Sequence, residues 1–498
     1  MSSVFAGHKK FHFTVRGLPP ATFSVVEFTG TERLNGLYRF DLTLVSEDPS
    51  VVGVQGKYAT FSVEALRDGR PELTPYHGRV MEFSVIRQSG PHTFYGAVLG
   101  PRMDVLTLER ISEVYTGERS IPELLEKILY EKGFPKGQDV EVHLSGEYRT
   151  RSFVCQYEET TWDFLARWCE QEGISLSFRQ EPGKEVLVMY DSPRPIGSPR
   201  PLVYRPASEL DTGVTDDSVQ EWILRERAVP KEVVVQEYNY RKAHLSIRET
   251  AEVSSSGTGT VTCPGENVRT QGEAKRLARL RAEALAWPKE TWTGRTTATG
   301  IRAGSVIAME RHFHPASNGR FQILEVRHEG SQAATLLSGT DPGKDPARGQ
   351  FYHAEFVGIP AGTSYRPQMR TPKPRIAGTL PAIVEAEGTG TVAELNQHGE
   401  YKVRFPFAKT ERQAQKNSAW IRQVHPASGE GNGVHFPLRK GDEVQVAFQG
   451  GDPDRPVILG GVHTSEKTNL VNHNNPTQHI MKTHYGNTIT MFDNPFSS

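Results

Sequence analysis

The amino-acid sequence predicts a mainly β protein with helical insertions, an α+β fold class. Three observations lead to this prediction. Apolar and polar residues alternate over many short segments, and 46 glycines with 33 prolines provide turns between them. Only three segments space their apolar residues as one face of a helix. With 498 residues, the chain is long enough to form several domains.

Period-two alternation predicts antiparallel strands with one buried face in the first hundred residues. Each predicted strand contributes three apolar side chains to that face. The three sets are Phe11, Phe13 and Val15; Phe40, Leu42 and Leu44; and Met81, Phe83 and Val85.

The three helical segments carry recognisable ends. Ser120 and Glu123 have the spacing of a capping box, and Thr160 with Asp163 repeats it before "TWDFLARWCEQEG". A third helix is predicted over Gly272–Trp287. Its basic residues would suit an anionic partner, but a solvated face is the favoured interpretation.

A proline-rich basic stretch, "SYRPQMRTPKPRIAG" at residues 364–378, is typical of a linker. Five short strands follow in under a hundred residues, which suits a small barrel of the oligonucleotide/oligosaccharide-binding (OB) type. The tail then predicts a hairpin around Tyr485-Gly486-Asn487. Its apolar Ile489 and Met491 would need a partner surface, since a lone hairpin is marginal in water.

Charge and hydropathy disfavour several classes of partner. The chain has 58 basic and 59 acidic residues, a formal net charge of −1. Nucleic-acid and membrane-surface binders concentrate positive charge, so we expect neither. No stretch approaches the roughly 18 apolar residues of a membrane span, and the first residues lack the apolar region of a secretory signal. We therefore expect no stable membrane insertion and no use of the general secretory route.

The segment "GGDPDRPVILGGV" at residues 450–462 raises the question of a metal or acid/base site, because it places Asp452 and Asp454 beside Arg455. Aspartate side chains also cap backbone N–H groups in turns, and proline presets φ. Since no further ligand cluster is evident, a turn between two strands is the favoured interpretation.

Other candidate sites are weaker. His312 and His314 share one face of a predicted strand, but no third ligand has a suitable zinc spacing. The three cysteines form no C-x-x-C pair, which disfavours a disulfide scaffold and fits a reducing compartment. Glu158 and Glu159 suit the N-terminal end of a helix better than acid catalysis. Known nucleophile, metalloprotease and phosphate-loop motifs are absent, so we expect no enzyme, no catalytic or metal residue and no cofactor.

Several long motifs, in order, resemble the VgrG spike-protein family of bacterial type VI secretion systems, which is related to contractile-phage baseplate hubs and tail spikes. The resemblance covers nearly the whole chain. One motif is "YRTRSFVCQYEETTWDFLARWCEQEGISLSF", with Tyr148, Arg151, Gln156, Tyr157, Glu158, Phe164, Leu165, Arg167, Glu172 and Gly173 in the expected places. Another is "GVHFPLRKGDEVQVAFQGGDPDRPVILGGV", with Pro437, Gly441, Glu443, Phe448, Asp452, Asp454, Arg455 and Gly460.

The resemblance implies a homotrimer in three parts. Residues 1–375 would form a phage hub-like domain of two β-barrel-like subdomains with helical insertions. Residues 376–464 would form the OB domain, and residues 465–498 a linker and the start of a triple-stranded β-helix. The family usually continues "FPWDR" where this chain has "FPFAKTE" at residues 405–411. The tail resembles only the beginning of the family's long β-helical needle.

The function implied is mechanical: a spike that caps the inner tube, punctures a target envelope and carries effectors. The implied partners are two further copies of the chain, a hexameric inner-tube protein, baseplate components, a tip-sharpening protein and effectors. Assembly on a baseplate in the bacterial cytoplasm would be followed by expulsion through contraction. The residues expected to matter are structural or interfacial: Tyr148, Arg151, Gln156, Tyr157, Glu158 and Phe164 in the hub motif; Asp452, Asp454 and Arg455 in the OB turn; and Asn487, Ile489 and Met491 at the needle start.

Three alternatives stay open at the level of sequence. One is the hub of a contractile phage or phage-derived injection particle, with the same architecture. A second is a hydrolase acting on peptidoglycan. The third is a saccharide-binding module, in which Phe407 and Trp420 of the OB barrel would stack on sugars; for Trp420 a place in the core is the favoured interpretation.

Overall fold

Strands dominate the computed structural model, which describes residues 9–67, 70–193, 195, 198–206, 217–336, 351–386, 390–408 and 418–493. About half of the chain is strand and little is helix, so the predicted mainly β class is confirmed. The chain divides into two compact units. The larger unit consists of Met1–Arg110, Ile121–Arg149 and Thr160–Pro372, and the smaller unit of Ile111–Ser120, Thr150–Glu159 and Lys373–Ser498.

Strands and helices alternate irregularly along the first half of the chain. In chain order these elements are β1 (Lys10–Val15), β2 (Ser24–Arg33), β3 (Arg39–Ser46), β4 (Tyr58–Arg67), β5 (Arg70–Ser89), β6 (His92–Gly100), β7 (Arg110–Ser120), α1 (Ile121–Glu131), β8 (Val140–His143), β9 (Thr150–Thr160), α2 (Thr161–Glu172), β10 (Ser175–Glu181), β11 (Lys184–Tyr190), β12 (Arg200–Tyr204) and β13 (Ser218–Glu226).

Strands also outnumber helices in the second half of the chain. Its elements are β14 (Glu232–Tyr238), β15 (Ser246–Glu252), β16 (Thr260–Pro264), α3 (Gln271–Ala286), β17 (Glu290–Thr296), β18 (Val306–Glu310), β19 (Gly319–Ser331), α4 (Ala333–Leu336), β20 (Phe351–Pro360), β21 (Thr379–Glu385), β22 (Tyr401–Arg404), β23 (Ala419–Ile421), β24 (Ser428–Gly429), β25 (Asn432–Gly433), β26 (Glu443–Phe448), β27 (Pro456–Val462), β28 (Gln478–Lys482) and β29 (Thr488–Phe492). Among the described helices, none is long and apolar enough to cross a bilayer.

Twelve strands of the larger unit form one sheet, in the order β1-β4-β5-β6-β3-β2-β19-β18-β12-β13-β17-β20. The antiparallel pair β2–β19 joins its two six-strand halves. β20 returns to pair with β19, which closes the second half into a barrel. In the first half the Gln332 side chain bridges β1 and β2: its Oε1 accepts from the Phe11 N–H at 3.2 Å, and its Nε2 donates to the Val25 carbonyl at 2.6 Å. The predicted pair of barrel-like subdomains is thus confirmed as two halves of one sheet.

The core of this sheet is strongly aromatic. Phe13, Phe40 and Leu44 are at most 1% exposed, as the alternation predicts. The prediction for Val85 is wrong, because that side chain is 59% exposed. The bulges in β5 lie between Val80 and Glu82 and after Val85, so neither separates Val85 from Phe83; residues 84–88, near the end of this long strand, are all exposed.

The helices agree closely with their sequence signals. In α2 the Thr160 side chain accepts from the Asp163 N–H at 3.0 Å, and Gly173 ends the helix with a left-handed φ of 73°. In α1 the predicted apolar residues are buried, and Glu123 lies in the first turn. The helix therefore begins where predicted, whereas the Ser120–Glu123 capping box stays a prediction.

The solvated basic face predicted for α3 is only partly correct. Arg281 is buried and lies 3.3 Å from Glu266, and Arg276 lies 2.9 Å from Glu172. These two arginines are used for ion pairs inside the larger unit, while Arg279 is mostly exposed. Ion pairs within the chain therefore account for two of the basic residues that would have suited an anionic partner.

The smaller unit contains the five predicted short strands as a sheet in the order β23-β22-β21-β26-β27. The ends of this sheet meet, because the Ile458 N–H donates to the Arg422 carbonyl at 2.9 Å and the Val424 N–H donates to the Ile458 carbonyl at 2.8 Å. The predicted OB barrel is therefore confirmed. Of the unusual stretch 405–411, residues 409–411 lie outside the described part of the chain.

A two-stranded sheet, β7–β9, also belongs to the smaller unit, although its sequence lies within the predicted domain 1–375. Val114 and Cys155 of this pair share an apolar cluster with Val444, Val446 and Ile458 of the barrel. The chain changes unit at Pro372, inside the stretch predicted to be a linker. The last residues before that point are held rather than free, since the Thr371 N–H donates to Glu170 at 2.9 Å.

Candidate assembly sites

The segment "GDPDRP" forms the connection between β26 and β27. The Asp452 N–H donates to the Gln449 carbonyl at 3.1 Å, and the Arg455 N–H donates to the Asp452 carbonyl at 3.0 Å. The Asp452 Oδ1 accepts from the Asp454 N–H at 2.9 Å. This is the aspartate-capped turn that its sequence predicts.

A lysine explains why two carboxylates tolerate each other in this turn. The Lys373 Nζ lies 2.6 Å from the Asp452 Oδ1 and 3.0 Å from the Asp454 Oδ2. The ammonium charge lies within ion-pair distance of both carboxylates and offsets the repulsion between them. Across the described ranges no group of three or more His, Cys, Asp or Glu residues is arranged to hold a metal ion.

The same turn also binds the β7–β9 pair. The Asp454 Oδ1 accepts from the Cys155 backbone N–H at 2.9 Å, and Asp454 is 7% exposed while Cys155 is 0% exposed. We call Cys155, Lys373, Asp452 and Asp454 the carboxylate clasp. It joins three segments of the smaller unit that are far apart in sequence.

The predicted motif residues on β9 surround the clasp. Gln156 is fully buried, and its Oε1 accepts from the Tyr115 hydroxyl at 3.0 Å. The ring of Tyr157 lies 6.0 Å from that of Phe407, edge to face, and burial raises the pKa of the Tyr157 hydroxyl. Glu158 has a left-handed φ of 45°.

These residues therefore hold β9 in the smaller unit through packing and hydrogen bonds. Arg151 lies on the same strand and is half-buried. The Glu158 N–H donates to the Ser112 hydroxyl at 3.0 Å. Any further role at an interface between copies stays a prediction.

Of the six residues of this motif that were expected to matter, Tyr148 and Phe164 lie in the larger unit instead. The Tyr148 hydroxyl donates to the Asp191 Oδ2 at 3.1 Å, and the Arg276 guanidinium lies 5.0 Å from the Tyr148 ring centre. Burial, with the Asp191 charge, raises the pKa of Tyr148, so its hydroxyl keeps the donated proton. Phe164 is fully buried in α2. One continuous motif thus packs in both compact units.

The tail hairpin, β28–β29, is confirmed around its predicted turn. The Thr483 N–H donates to the Asn487 carbonyl at 2.8 Å, and the Asn487 N–H donates to the Thr483 Oγ1 at 3.0 Å. Gly486 has a φ of 94°, which the turn requires and which glycine adopts without strain.

One face of this hairpin is apolar and exposed. Met481 pairs directly with Ile489, and His479 with Met491, so these side chains share a face. Met481, Ile489 and Met491 are 46%, 60% and 58% exposed. Since the hairpin has only two strands, nothing within the described residues gives this face the burial that apolar side chains normally have.

Of two other candidate sites, the histidine segment makes local hydrogen bonds and the barrel tryptophan is partly exposed. The ring nitrogens of His312 contact backbone groups, with Nε2 lying 3.1 Å from the Trp222 carbonyl and Nδ1 accepting from the His314 N–H at 3.0 Å. The prediction that Trp420 fills the core is wrong, because Ala419 and Ile421 face inward and Trp420 is 37% exposed. The Lys402 Nζ lies 5.1 Å from the Trp420 ring centre. Phe407 packs partly buried against the barrel core.

Two of the four clasp residues, Cys155 and Lys373, were not predicted from the sequence. Cys155 lies 299 positions from Asp454, and no local pattern predicts that pairing. Lys373 offered a weak signal as the residue between Pro372 and Pro374, but that position suggested a solvated linker. The signal in the sequence is the Asp-x-Asp turn itself, because two neighbouring carboxylates call for a cation close to both.

The fold and these sites define a structural component of a contractile tail or injection baseplate. The chain belongs to the family described as Phage tail baseplate hub (GPD), which residues 31–334 match. Residues 388–463 match the type VI secretion system/phage-baseplate injector OB domain.

Similar proteins confirm the resemblance to VgrG proteins. The type VI secretion system spike protein VgrG1b of Pseudomonas aeruginosa is 28% identical over 88% of this chain and 58% of its own length. The actin cross-linking toxin VgrG1 of Vibrio cholerae is 26% identical over 96% of this chain and 44% of its own length. This chain therefore spans less than two thirds of each of these relatives.

Among solved structures, the E. coli c3393 protein aligns with a TM-score of 0.66 and 25% identity, over 90% of this chain and 99% of that one. That protein is described as a component of the type VI secretion system with structural similarity to the T4 bacteriophage tail proteins gp27 and gp5. The similarity extends over both the hub and the OB parts of the fold.

Proposed function

We propose that this chain is the hub and spike base of a type VI secretion apparatus and works as a homotrimer. The observation that carries the proposal is the tail hairpin, whose face of Met481, Ile489 and Met491 is exposed directly after an OB barrel. A two-stranded hairpin with an apolar face needs further strands or another surface to be stable in water. Neighbouring copies of the same chain supply those strands in a triple-stranded β-helix.

The proposed action is mechanical. The residue ranges 1–375, 376–464 and 465–498 act as hub, OB collar and needle start. The hub ring sits on a hexameric inner tube at the baseplate, and contraction drives the trimer into the target envelope with effectors and a tip protein attached. No covalent bond is made or broken, so rigidity and large interfaces, on the order of 2,000 Å² or more, are what function requires. The names of the relatives favour this system over a phage particle.

The direct test of assembly is the solution mass, measured by light scattering over a wide range of concentrations. We expect a mass close to three chains that does not change with concentration. A monomer that stays monomeric after fusion to the needle segment of a related spike protein would overturn the trimer.

The test of function is export. In a bacterium with the corresponding secretion system, loss of this gene is expected to stop release of the tube protein, and the wild-type gene restores it. The variant carrying Ile489→Asp and Met491→Asp is expected not to restore release. Tyr485→Ser, which changes an exposed residue of the turn, serves as the control and is expected to restore it. Full release without this chain would exclude a role in the apparatus.

A further inference from the structure

A short hairpin in the OB barrel brings two histidines together. His425 follows β23, and His435 precedes β26. Between them, Ser428 pairs with Gly433, and the Val434 N–H donates to the Ala427 carbonyl at 3.0 Å. The two imidazole rings lie 4.8 Å apart, centre to centre, with 47° between their planes.

We propose that His425 and His435 form a binding site for one divalent transition-metal ion of the Zn²⁺, Ni²⁺ or Cu²⁺ class. These ions favour imidazole nitrogen as a ligand. With metal–nitrogen bonds of about 2.0–2.1 Å, two imidazoles on one ion have ring centres about 4.5 Å apart at a right angle and about 5.2 Å apart at the tetrahedral angle. The observed 4.8 Å lies between these two separations.

The His425 ring is available as a ligand. It contacts the His435 ring and makes no hydrogen bond to the described part of the chain. An imidazole ring binds metal in its neutral form.

A buried tyrosine holds the second histidine. The Tyr401 hydroxyl lies 3.2 Å from the His435 Nε2, and it accepts from the Leu438 N–H at 3.1 Å. Tyr401 is fully buried, so its hydroxyl is a fixed support. This contact leaves the His435 Nδ1 as the ligand atom, with Nε2–H donating to the tyrosine oxygen when metal is bound, the usual arrangement of a metal-bound imidazole.

The site is open rather than a closed structural zinc centre. No third His, Cys, Asp or Glu of the described residues completes the ligand set. Water fills the remaining positions, and affinity is expected to follow the general order in which Cu²⁺ and Ni²⁺ exceed Co²⁺. A bound ion would cross-link the two arms of the hairpin and rigidify this part of the barrel.

Calorimetric titration of the EDTA-treated, dialysed full chain with Ni²⁺ and then Zn²⁺ tests the proposal. We expect one ion per chain that is lost in the double variant His425→Ala, His435→Ala. Loss of an outer-shell partner costs about 10–100-fold in metal affinity, and loss of a ligand costs at least as much. His425→Ala is therefore expected to weaken binding by about tenfold or more, and Tyr401→Phe by about tenfold.

The matched control is His398→Ala, an exposed histidine of the same compact unit, and it is expected to keep wild-type affinity. The metal-free melting temperature of His425→Ala should equal that of the wild type, which separates lost ligation from lost folding. Equal titration curves for the wild type and the double variant, or no heat from the wild type, would overturn the site.

Discussion

The carboxylate clasp and the tail hairpin belong to the same compact unit but differ in what they bury. The clasp removes charged groups from water, and the hairpin leaves apolar groups in it. The clasp buries charge: Asp454 is 7% exposed, forms an ion pair with Lys373 and accepts a hydrogen bond from the Cys155 N–H within one chain. The tail hairpin exposes apolar surface, and Ile489 is 60% exposed. The clasp is complete in one copy of the chain, whereas in the proposed trimer neighbouring copies would complete the hairpin.

The contrast assigns the clasp to folding of the single chain and the hairpin to the proposed assembly. A buried carboxylate is tolerated only when it is paired and hydrogen-bonded, so the clasp must form as the unit folds. Covering exposed apolar surface contributes roughly 25 cal/mol per Å², so in the proposed trimer the hairpin would stabilise the assembly rather than the single chain. Substitutions in the two regions should therefore affect different measurements.

The largest effect on the unfolding free energy is expected for Asp454→Ala. This change leaves the buried Cys155 N–H without its acceptor and removes one of the two anions beside Lys373. We expect a loss of about 2–4 kcal/mol, discounted for the partly exposed lysine. Urea unfolding of the purified chain measures it.

Asp454→Asn is the matched control, because the amide oxygen still accepts from the Cys155 N–H while the charge is gone. It should cost clearly less than alanine. An Asp454→Ala variant within about 0.5 kcal/mol of the wild type, the range of ordinary surface substitutions, would show that the clasp contributes nothing.

The second effect is local opening at β9. Cys155 is fully buried, so its thiol reacts with a labelling reagent only when this part of the unit opens. Asp454→Ala should speed its labelling by about tenfold or more, since each 1.4 kcal/mol is a factor of ten. Cys169 is equally buried in the larger unit and is the internal control. Equal acceleration at both thiols would mean global unfolding rather than a local role for the clasp.

The sequence predicted these two regions unequally. The Asp452–Asp454 turn and the tail hairpin were predictable, because proline, aspartate and glycine act locally. Cys155 and Lys373 were not, since their partners are set by packing of distant segments. The predictions for Val85 and Trp420 were wrong for a different reason: Val85 lies in the exposed end of β5, and the three-residue strand β23 turns Trp420 outward, neither of which alternation alone can show.

A smaller effect is expected for Glu158→Gly beside the clasp. Glu158 has a φ of 45°, a left-handed conformation that costs about 1–2 kcal/mol for a residue with a Cβ. Glycine removes that strain but loses more entropy on folding, about 0.5–1 kcal/mol. The net expectation is a gain between zero and about 1.5 kcal/mol in the unfolding free energy. Glu158→Ala keeps the strain and should give no gain; destabilisation by glycine beyond that of alanine would contradict the strain argument.

The smallest effect on folding, and the sharpest test of the contrast, is expected for the double variant Ile489→Ser, Met491→Ser. Both side chains are largely exposed in one chain, so the unfolding free energy of the monomeric unit should change by less than about 0.5 kcal/mol per site. If the proposed trimer forms through this face, the solution mass should nevertheless fall from three chains towards one, because the lost apolar area is the area that neighbouring copies would cover. Thr488→Ser, on the opposite face of β29, is the matched control and should keep the trimer. The opposite result would be a double variant that unfolds more readily yet keeps its trimeric mass. It would show that the hairpin stabilises the fold of the single chain and not the trimer.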